Sequence, residues 1–438
     1  MPTVIDANFQ SLMLISKHLK SAFLPFIIFL SLFRHAAANQ VMIPMDETQK
    51  NHLKAYGIAF WLLKNYDTEI DWLLNYRGGS FLIPYTQNSI NELIIRGVSY
   101  EIISDAEAGQ ILATVRDPNV NMDAVKLQKA PKIAVYTPKS AMPWDDAVTL
   151  ALTYAEIEFD KVYDDEVLEG KLPEYDWLHL HHEDFTGQYG KFIAHAQRKW
   201  FQDQKRDLET TARKHGFNKV SELRAAVVMK MYEFVNGGGY MFAMCNATDT
   251  FEIALAAQGI DIVERMYDGD GMDPKADEKL NFNNTFAFKD FKLIKDPYDV
   301  EFSNIDHRQE QRGVVEGNDF FQLFEFSAKY DPVPTMLTQN HQSLIKGFMG
   351  QTTAFRKQFI KSEVLILAEN RELGEARYIH GTAGRGFWTY YGGHDPEDYQ
   401  HFVDEEPTDL NLHPNSAGYR LILNNVLFPA AKKKKMKT

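Results

Sequence analysis

Cys245 is the only cysteine in a chain of 438 residues, and it lies in "NGGGYMFAMCNATDTFE", residues 236 to 252. The stretch has the make-up of a nucleophile elbow: a strand, "YMFAM", a sharp turn carrying the nucleophile, and a helix, "TDTFEIALAA". Such a turn closes when the positions two residues either side of the nucleophile are small, and Ala243 and Ala247 occupy them. A helix N-terminus favours thiolate over thiol. Backbone N–H groups after the nucleophile, beginning at Asn246, are suited to hold an oxyanion.

A thiol nucleophile needs a base. His394, in "YYGGHDPEDY", follows a strand that ends in a glycine pair, and Glu397 stands three residues on, close enough in a turn to orient the imidazole. Cys245, His394 and Glu397 are therefore the expected catalytic set.

A second group, "HLHHEDF", brings His179, His181, His182, Glu183 and Asp184 together. Strand alternation puts His179 and His181 on one face and His182 on the other. His181, His182 and Glu183, with His394, are candidate ligands of a divalent metal. Their spacing matches no closed metal motif, so a hydrogen-bonded strand end is the competing reading, and no resident metal or cofactor is expected. In "DGDGMDPKADE", Met272 stands where a calcium loop needs an oxygen ligand, which leaves a solvated acidic loop. The aromatic groups "FWTYY" and "AFWLL" could stack on sugar rings, although their period suits a core.

The elements that must position these residues alternate along the chain. "KIAVYTP" reads as a strand, "WDDAVTLALTYAEI" as a helix, "EFDKVYDDE" and "YDWLHLHHED" as strands, and "VSELRAAVVMKMYEFVNGGG" as a helix before the elbow. This predicts an α/β fold whose main sheet is mostly parallel and covered by helices on both faces, with ligands at the carboxyl ends of its strands. "EVLILAE" and "RYIHGTAGRGFWTYYGG" read as the last strands, joined as a hairpin through "NRELGEA", and "GYRLILNNVLF" as a closing helix. A small α/β unit precedes the main one, and the polar "RDPNVNMDAVKLQKAP" reads as a linker between them.

At 45% apolar residues the chain can bury a substantial core, and its formal charge of −13 excludes a nucleic-acid partner. "SKHLKSAFLPFIIFLSLFRHAAANQ" has the basic, apolar and small-residue regions of a cleaved signal peptide, and its apolar run is short of the roughly 20 residues of a membrane span. The expected organisation is a signal at 1–38, the small unit at 39–128, and the main domain at 129–430, with an insertion at about 265–345. A basic tail follows at 431–438. The mature protein is expected to be periplasmic or secreted, without a transmembrane segment. One cysteine allows no internal disulfide.

On the elbow "AMCNA" and on "HDPE", the chain resembles the class I glutamine amidotransferase-like superfamily, from about residue 131 to 430. These segments stand in place of the usual Gly-x-Cys-x-Gly and His-Pro-Glu. "GRGFWTYYGGHDPEDY" is similar to the corresponding end of the ThuA-like branch. Together with "HLKAYGIAFW", "LHLHHEDFTGQYGKF" and "ILNNVLFPAAKKKK", the whole chain resembles an exported bacterial family often labelled asparagine synthetase B. The superfamily resemblance implies a flavodoxin-like fold, attack by Cys245 on an amide carbonyl, and an oxyanion region that includes His181, His182, Glu183, Thr186, Gly187 and Asn246. Asparagine synthetase activity is not expected: the chain has neither an N-terminal cysteine nor an SGGxDS phosphate loop, and "RGGSF" at 77–81 is a turn. Three functions stay open: a cysteine amide hydrolase, a non-catalytic binder of a carbohydrate or envelope ligand, and a metal-assisted hydrolase.

Overall fold

Two sheets organise the chain in the computed structural model, which describes residues 38–66, 68–139, 142–307, 309–400 and 402–432. The expected signal segment up to residue 37 and the tail beyond Lys432 lie outside the described residues. No helix among the described residues is long and apolar enough to cross a membrane.

The first sheet contains β1 (Ala38–Ile43), β2 (Ile70–Leu74), β3 (Ser80–Pro84), β4 (Glu101–Ser104) and β5 (Asp123–Leu127), in the order β4-β1-β3-β2-β5. Every pairing in it is antiparallel. Helices α1 (His52–Tyr66), α2 (Gln87–Ile95) and α3 (Asp105–Arg116) accompany it. Thr86 and Ser104 start the second and third of these, each with a reciprocal side-chain and backbone cap that satisfies N–H groups the helix leaves open. The stretch expected as a linker contains β5. Its polar residues face outward, and Lys126 pairs with Asp71 of β2 at 2.8 Å, so the segment completes the sheet.

The second sheet holds β6 (Ile133–Tyr136), β7 (Asp160–Val162), β8 (Trp177–Leu180), β9 (Tyr240–Met244), β10 (Phe320–Leu323), β11 (Leu344–Lys346), β12 (Phe355–Arg356), β13 (Leu365–Asn370), β14 (Glu375–Ala383) and β15 (Gly386–Tyr391). Its order is β11-β10-β13-β14-β15-β9-β8-β6-β7, with β12 on β14. This overturns the mostly parallel, flavodoxin-like sheet expected from sequence. Five pairings are antiparallel and four parallel, so the sheet is mixed. Short turns join β13 to β14 and β14 to β15, and a short connection can only return the chain antiparallel. β10 and β11, from the expected insertion, extend this antiparallel half.

The parallel half carries the strand ends of interest. From β6 the chain moves outward to β7, then crosses to β8 on the other side, so the direction of winding reverses between β6 and β8. Loops leaving such a pair at their carboxyl ends diverge and open a crevice between them. Strand residues alternate between two cores. Trp177, Phe242, Met244 and Tyr391 face one, with α1, α4 (Ala147–Tyr154) and α9 (Ala417–Leu427). Leu178, Met241, Ala243 and Tyr390 face the other, with α7 (Val220–Gly237) and α8 (Cys245–Ala256). Two further helices are α5 (Asp164–Leu168) and α6 (Lys199–Lys214).

Arg420 on α9 ties the two sheets together. It is fully buried and donates to Met45 O at 2.9 Å and to Gly78 O. On the other face, Glu252 of α8 accepts from Phe286 and Ala287 N–H at 3.2 and 3.1 Å, which anchors the chain after the elbow helix.

Candidate active site

Strand β9 ends at Met244, and Cys245 turns the chain directly into α8 with φ +50°. That left-handed conformation costs a non-glycine residue on the order of 1–3 kcal/mol and persists only where the surroundings enforce it. Here three strand ends enforce it. Cys245 N–H donates to Gly393 O, beyond β15, at 3.1 Å, and Ala247 N–H donates to His181 O, beyond β8, at 3.0 Å. Thr248 Oγ1 closes the turn on Cys245 O at 2.7 Å. Ala243 and Ala247 are fully buried, so the space beside the elbow admits a methyl group at each position.

The thiol is 4% exposed and lies beneath residues 350–353. Gln351 N–H donates to Sγ at 3.3 Å. Burial raises the thiol pKa and Asp306 adds to the rise, while the N–H groups of Thr352, Gln351 and Asn246 oppose it. The resting sulfur is therefore a protonated thiol within a ring of donors suited to an anion. Gly350 permits this cover: a Cβ there would lie 3.1 Å from Sγ and 2.9 Å from His394 N. Gln351 Nε2 holds the segment down by donating to Gly190 O at 2.9 Å.

Two buried acids flank the thiol side of the site. Asp249, one turn along α8, accepts from Ser303 Oγ at 2.9 Å, and Asp306 accepts from Thr353 N–H at 2.5 Å. Burial raises the pKa of each to about 7.

His394 is brought to the same place, since its N–H donates to Met349 O at 2.9 Å and its ring joins those of His181 and His182. Centroid distances are 4.7 Å to His181 and 4.9 Å to His182, and the latter two stack at 4.0 Å. Asp146, at the start of α4, lies below them. Its Oδ1 caps the helix on Thr149 N–H at 2.8 Å. Its Oδ2 stands 3.3 Å from His179 Nε2, 3.4 Å from His181 Nδ1 and 3.9 Å from His182 Nε2. Burial opposes charge on Asp146, yet His179 and His181 outweigh it and hold the carboxyl well below its ordinary range.

Of the expected catalytic set, Cys245 and His394 converge and Glu397 does not join them. The Glu397 carboxylate pairs with His413 Nδ1 at 3.1 Å and lines a cleft of about 450 Å³ with His413, Pro414 and Asn415. The cause is Asp395, which is fully buried, accepts from Tyr419 OH at 2.6 Å and from Glu397 N–H at 2.8 Å, and so fixes the turn with Glu397 on the cleft. The carboxylate that serves the histidines is Asp146, which follows β6 in sequence and is invisible as a partner until β6 and β8 are neighbours.

The loop expected to supply the oxyanion region divides in the same way. Glu183 is buried, accepts from His181 N–H at 3.2 Å, and is pushed up to about 8 by burial with the Asp146 charge adding. Thr186 is turned onto Asp184, with N–H and Oγ1 both 2.6 Å from Asp184 Oδ1, and Gly187 has φ +89° with Ser221 against it. These two shape the loop, whereas the donors on Sγ come from Gln351, Thr352 and Asn246. The Asn246 side chain is fully buried with no hydrogen-bond partner among the described residues. The only sequence signal for the cover was a glycine in an apolar context, "KGFMGQTTAF".

No family model matches the chain, and no curated protein matches it. Among solved structures, two cytoplasmic proteins of Salmonella typhimurium are similar to it. One has 10% identity and a TM-score of 0.32, covering 69% of this chain and 100% of its own. The other has 13% identity and a TM-score of 0.33, with the same coverage. At these scores neither informs the function of this chain.

Proposed function

We propose that the protein is an exported hydrolase of amide-type carbonyl compounds, with Cys245 as nucleophile and His394 as its base. The observation that carries the reading is the conformation of Cys245: a strained left-handed residue between strand and helix, with backbone donors gathered on its sulfur. Displacement of residues 350–353 would expose the thiol and lower the burial that keeps it protonated. His394 then takes the thiol proton as Sγ bonds to the carbonyl carbon. The amine leaves with that proton, and water attacks the thioester to release the acid and restore the thiol. Asn246 N–H, at the start of α8, is the natural donor to the oxyanion.

Ammonia release from carboxamides, glutamine first, tests this. Cys245→Ser should remove it, and equal release from the parent and the variant would refute the reading. One observation favours a non-catalytic ligand-binding role, namely the near-complete cover over the thiol. In that case ligands would raise Tm equally in the parent and in Cys245→Ser.

A further inference from the structure

We propose that His181, His182 and His394 form a binding site for one divalent transition metal of the zinc type, with Asp146 orienting His181 and with a coordination position left open. One ring nitrogen from each histidine lies within 4.8 Å of the other two. Zinc takes imidazole nitrogen at roughly 2.0–2.1 Å, which puts tetrahedral ligand nitrogens about 3.4 Å apart, so the rings must turn and close on one another to share one ion. The His181 and His182 rings stack at 4.0 Å and 13°, so one of them must turn out of the stack for both in-plane lone pairs to meet at one centre.

His181 supplies the independent observation. It is fully buried, and neither of its ring nitrogens has a hydrogen-bond partner among the described residues; Nδ1 stands at ion-pair distance, 3.4 Å, from Asp146 Oδ2. A carboxylate on one imidazole nitrogen fixes the proton there and leaves the other nitrogen's lone pair for a metal. A buried lone pair without donor or metal is otherwise unfavourable. His182 has 15% of its side chain exposed, so an ion and a fourth, exchangeable ligand can reach the centre from solvent. Three histidines with one open position is the ligand set of a reactive rather than a structural zinc site. By contrast, the acidic cluster Asp261, Asp268 and Asp270 already surrounds Lys219 Nζ, at 2.7, 3.1 and 2.5 Å, and needs no metal.

No ligand of the site is a thiolate, but His394 is shared with the proposed dyad: a metal on it takes the lone pair that would accept the Cys245 proton, so hydrolysis belongs to the metal-free protein and metal binding is read separately. The test uses the full chain stripped with chelator and titrated with Co²⁺ alone, then with Zn²⁺ in competition. One ion per chain should bind, with a visible Co²⁺ spectrum and quenching of Trp144, whose ring is 5.9 Å from that of His182. His182→Ala and His394→Ala should each weaken binding at least about 100-fold, and Asp146→Asn about 10-fold or more. Cys245→Ser should bind like the parent. Should His181→Ala fail to fold, the more exposed His182→Ala carries the test. Absence of stoichiometric binding, or parental affinity in both His182→Ala and His394→Ala, would overturn the assignment. So would loss of binding in Cys245→Ser.

Discussion

Cys245 donates its backbone N–H to the carbonyl of Gly393 at 3.1 Å, so the elbow at the end of β9 is fastened to the residue that precedes His394 beyond β15. The parallel pairing of β9 with β15 sets both strand ends at one level, and this bond fixes the last step. The proposed nucleophile and base are thereby positioned by backbone before any side chain is chosen.

The strain at Cys245 has a measurable sign. Cys245→Ala and Cys245→Gly both remove the sulfur, but only glycine adopts φ +50° without cost. Cys245→Gly should be the more stable of the two by about 1 kcal/mol, the reverse of the usual order for a helical residue. Urea unfolding of the pair gives the difference directly.

Gly350 should resist substitution. A methyl group there meets Sγ at 3.1 Å and His394 N at 2.9 Å, so Gly350→Ala must lift the cover or shift the base. A loss of about 1–3 kcal/mol is expected, together with faster alkylation of Cys245 by iodoacetamide as the cover opens.

Asp146 and Glu397 exchange the roles that spacing suggests. Asp146→Asn keeps the helix cap but weakens the contacts with His179 and His181, and should lower both hydrolysis and stability, the latter by about 1–2 kcal/mol. Glu397→Gln should cost only the pairing with His413, leaving turnover within about twofold. Steady-state rates of the two variants, each compared with its unfolding curve, separate the roles.

Stability should fall as pH rises from about 6.5 to 7.5, above the range in which His52, His341 and His380, held by burial at about 4, about 3 and about 4, act in the opposite direction. Asp249, Glu252 and Asp306 each have a folded pKa raised to about 7, chiefly by burial. Between the unfolded and folded values the native state holds more protons, so raising pH favours unfolding, by up to about 1.4 kcal/mol per pH unit for each group. Glu252→Gln should reduce that slope by one group's share. Unfolding free energies at pH 6.5, 7 and 7.5, compared between the parent and Glu252→Gln, check it.

The parts of the site that were legible are those written in local sequence. Strand, cysteine and helix are contiguous in "YMFAMCNATDTFE", and "GGH" marks a strand end, so Cys245 and His394 could be placed without knowing the sheet. Asp146 was hidden because "PWDDAV" reads only as a helix start; its contact with the histidines exists through the adjacency of β6 and β8. Glu397 misled because spacing does not reveal that Tyr419, on the last helix, grips Asp395 and turns the following residues away. The sheet was misjudged for a related reason: the hairpin of "EVLILAE" and "RYIHGTA" was legible from its turn, but nothing local shows that β10 and β11 join its outer edge and that β14 and β15 form a second hairpin, which makes the sheet mixed.

The most direct test of the account is acylation of Cys245 by p-nitrophenyl acetate in the presence of chelator, followed by intact-mass spectrometry. As the chain has one cysteine, a thioester has one address. Acetylation should be faster in the folded protein than in urea, be followed by turnover, and slow by about 100-fold or more in His394→Ala. Acetylation no faster than in the unfolded chain, and unchanged in His394→Ala, would contradict a catalytic Cys245.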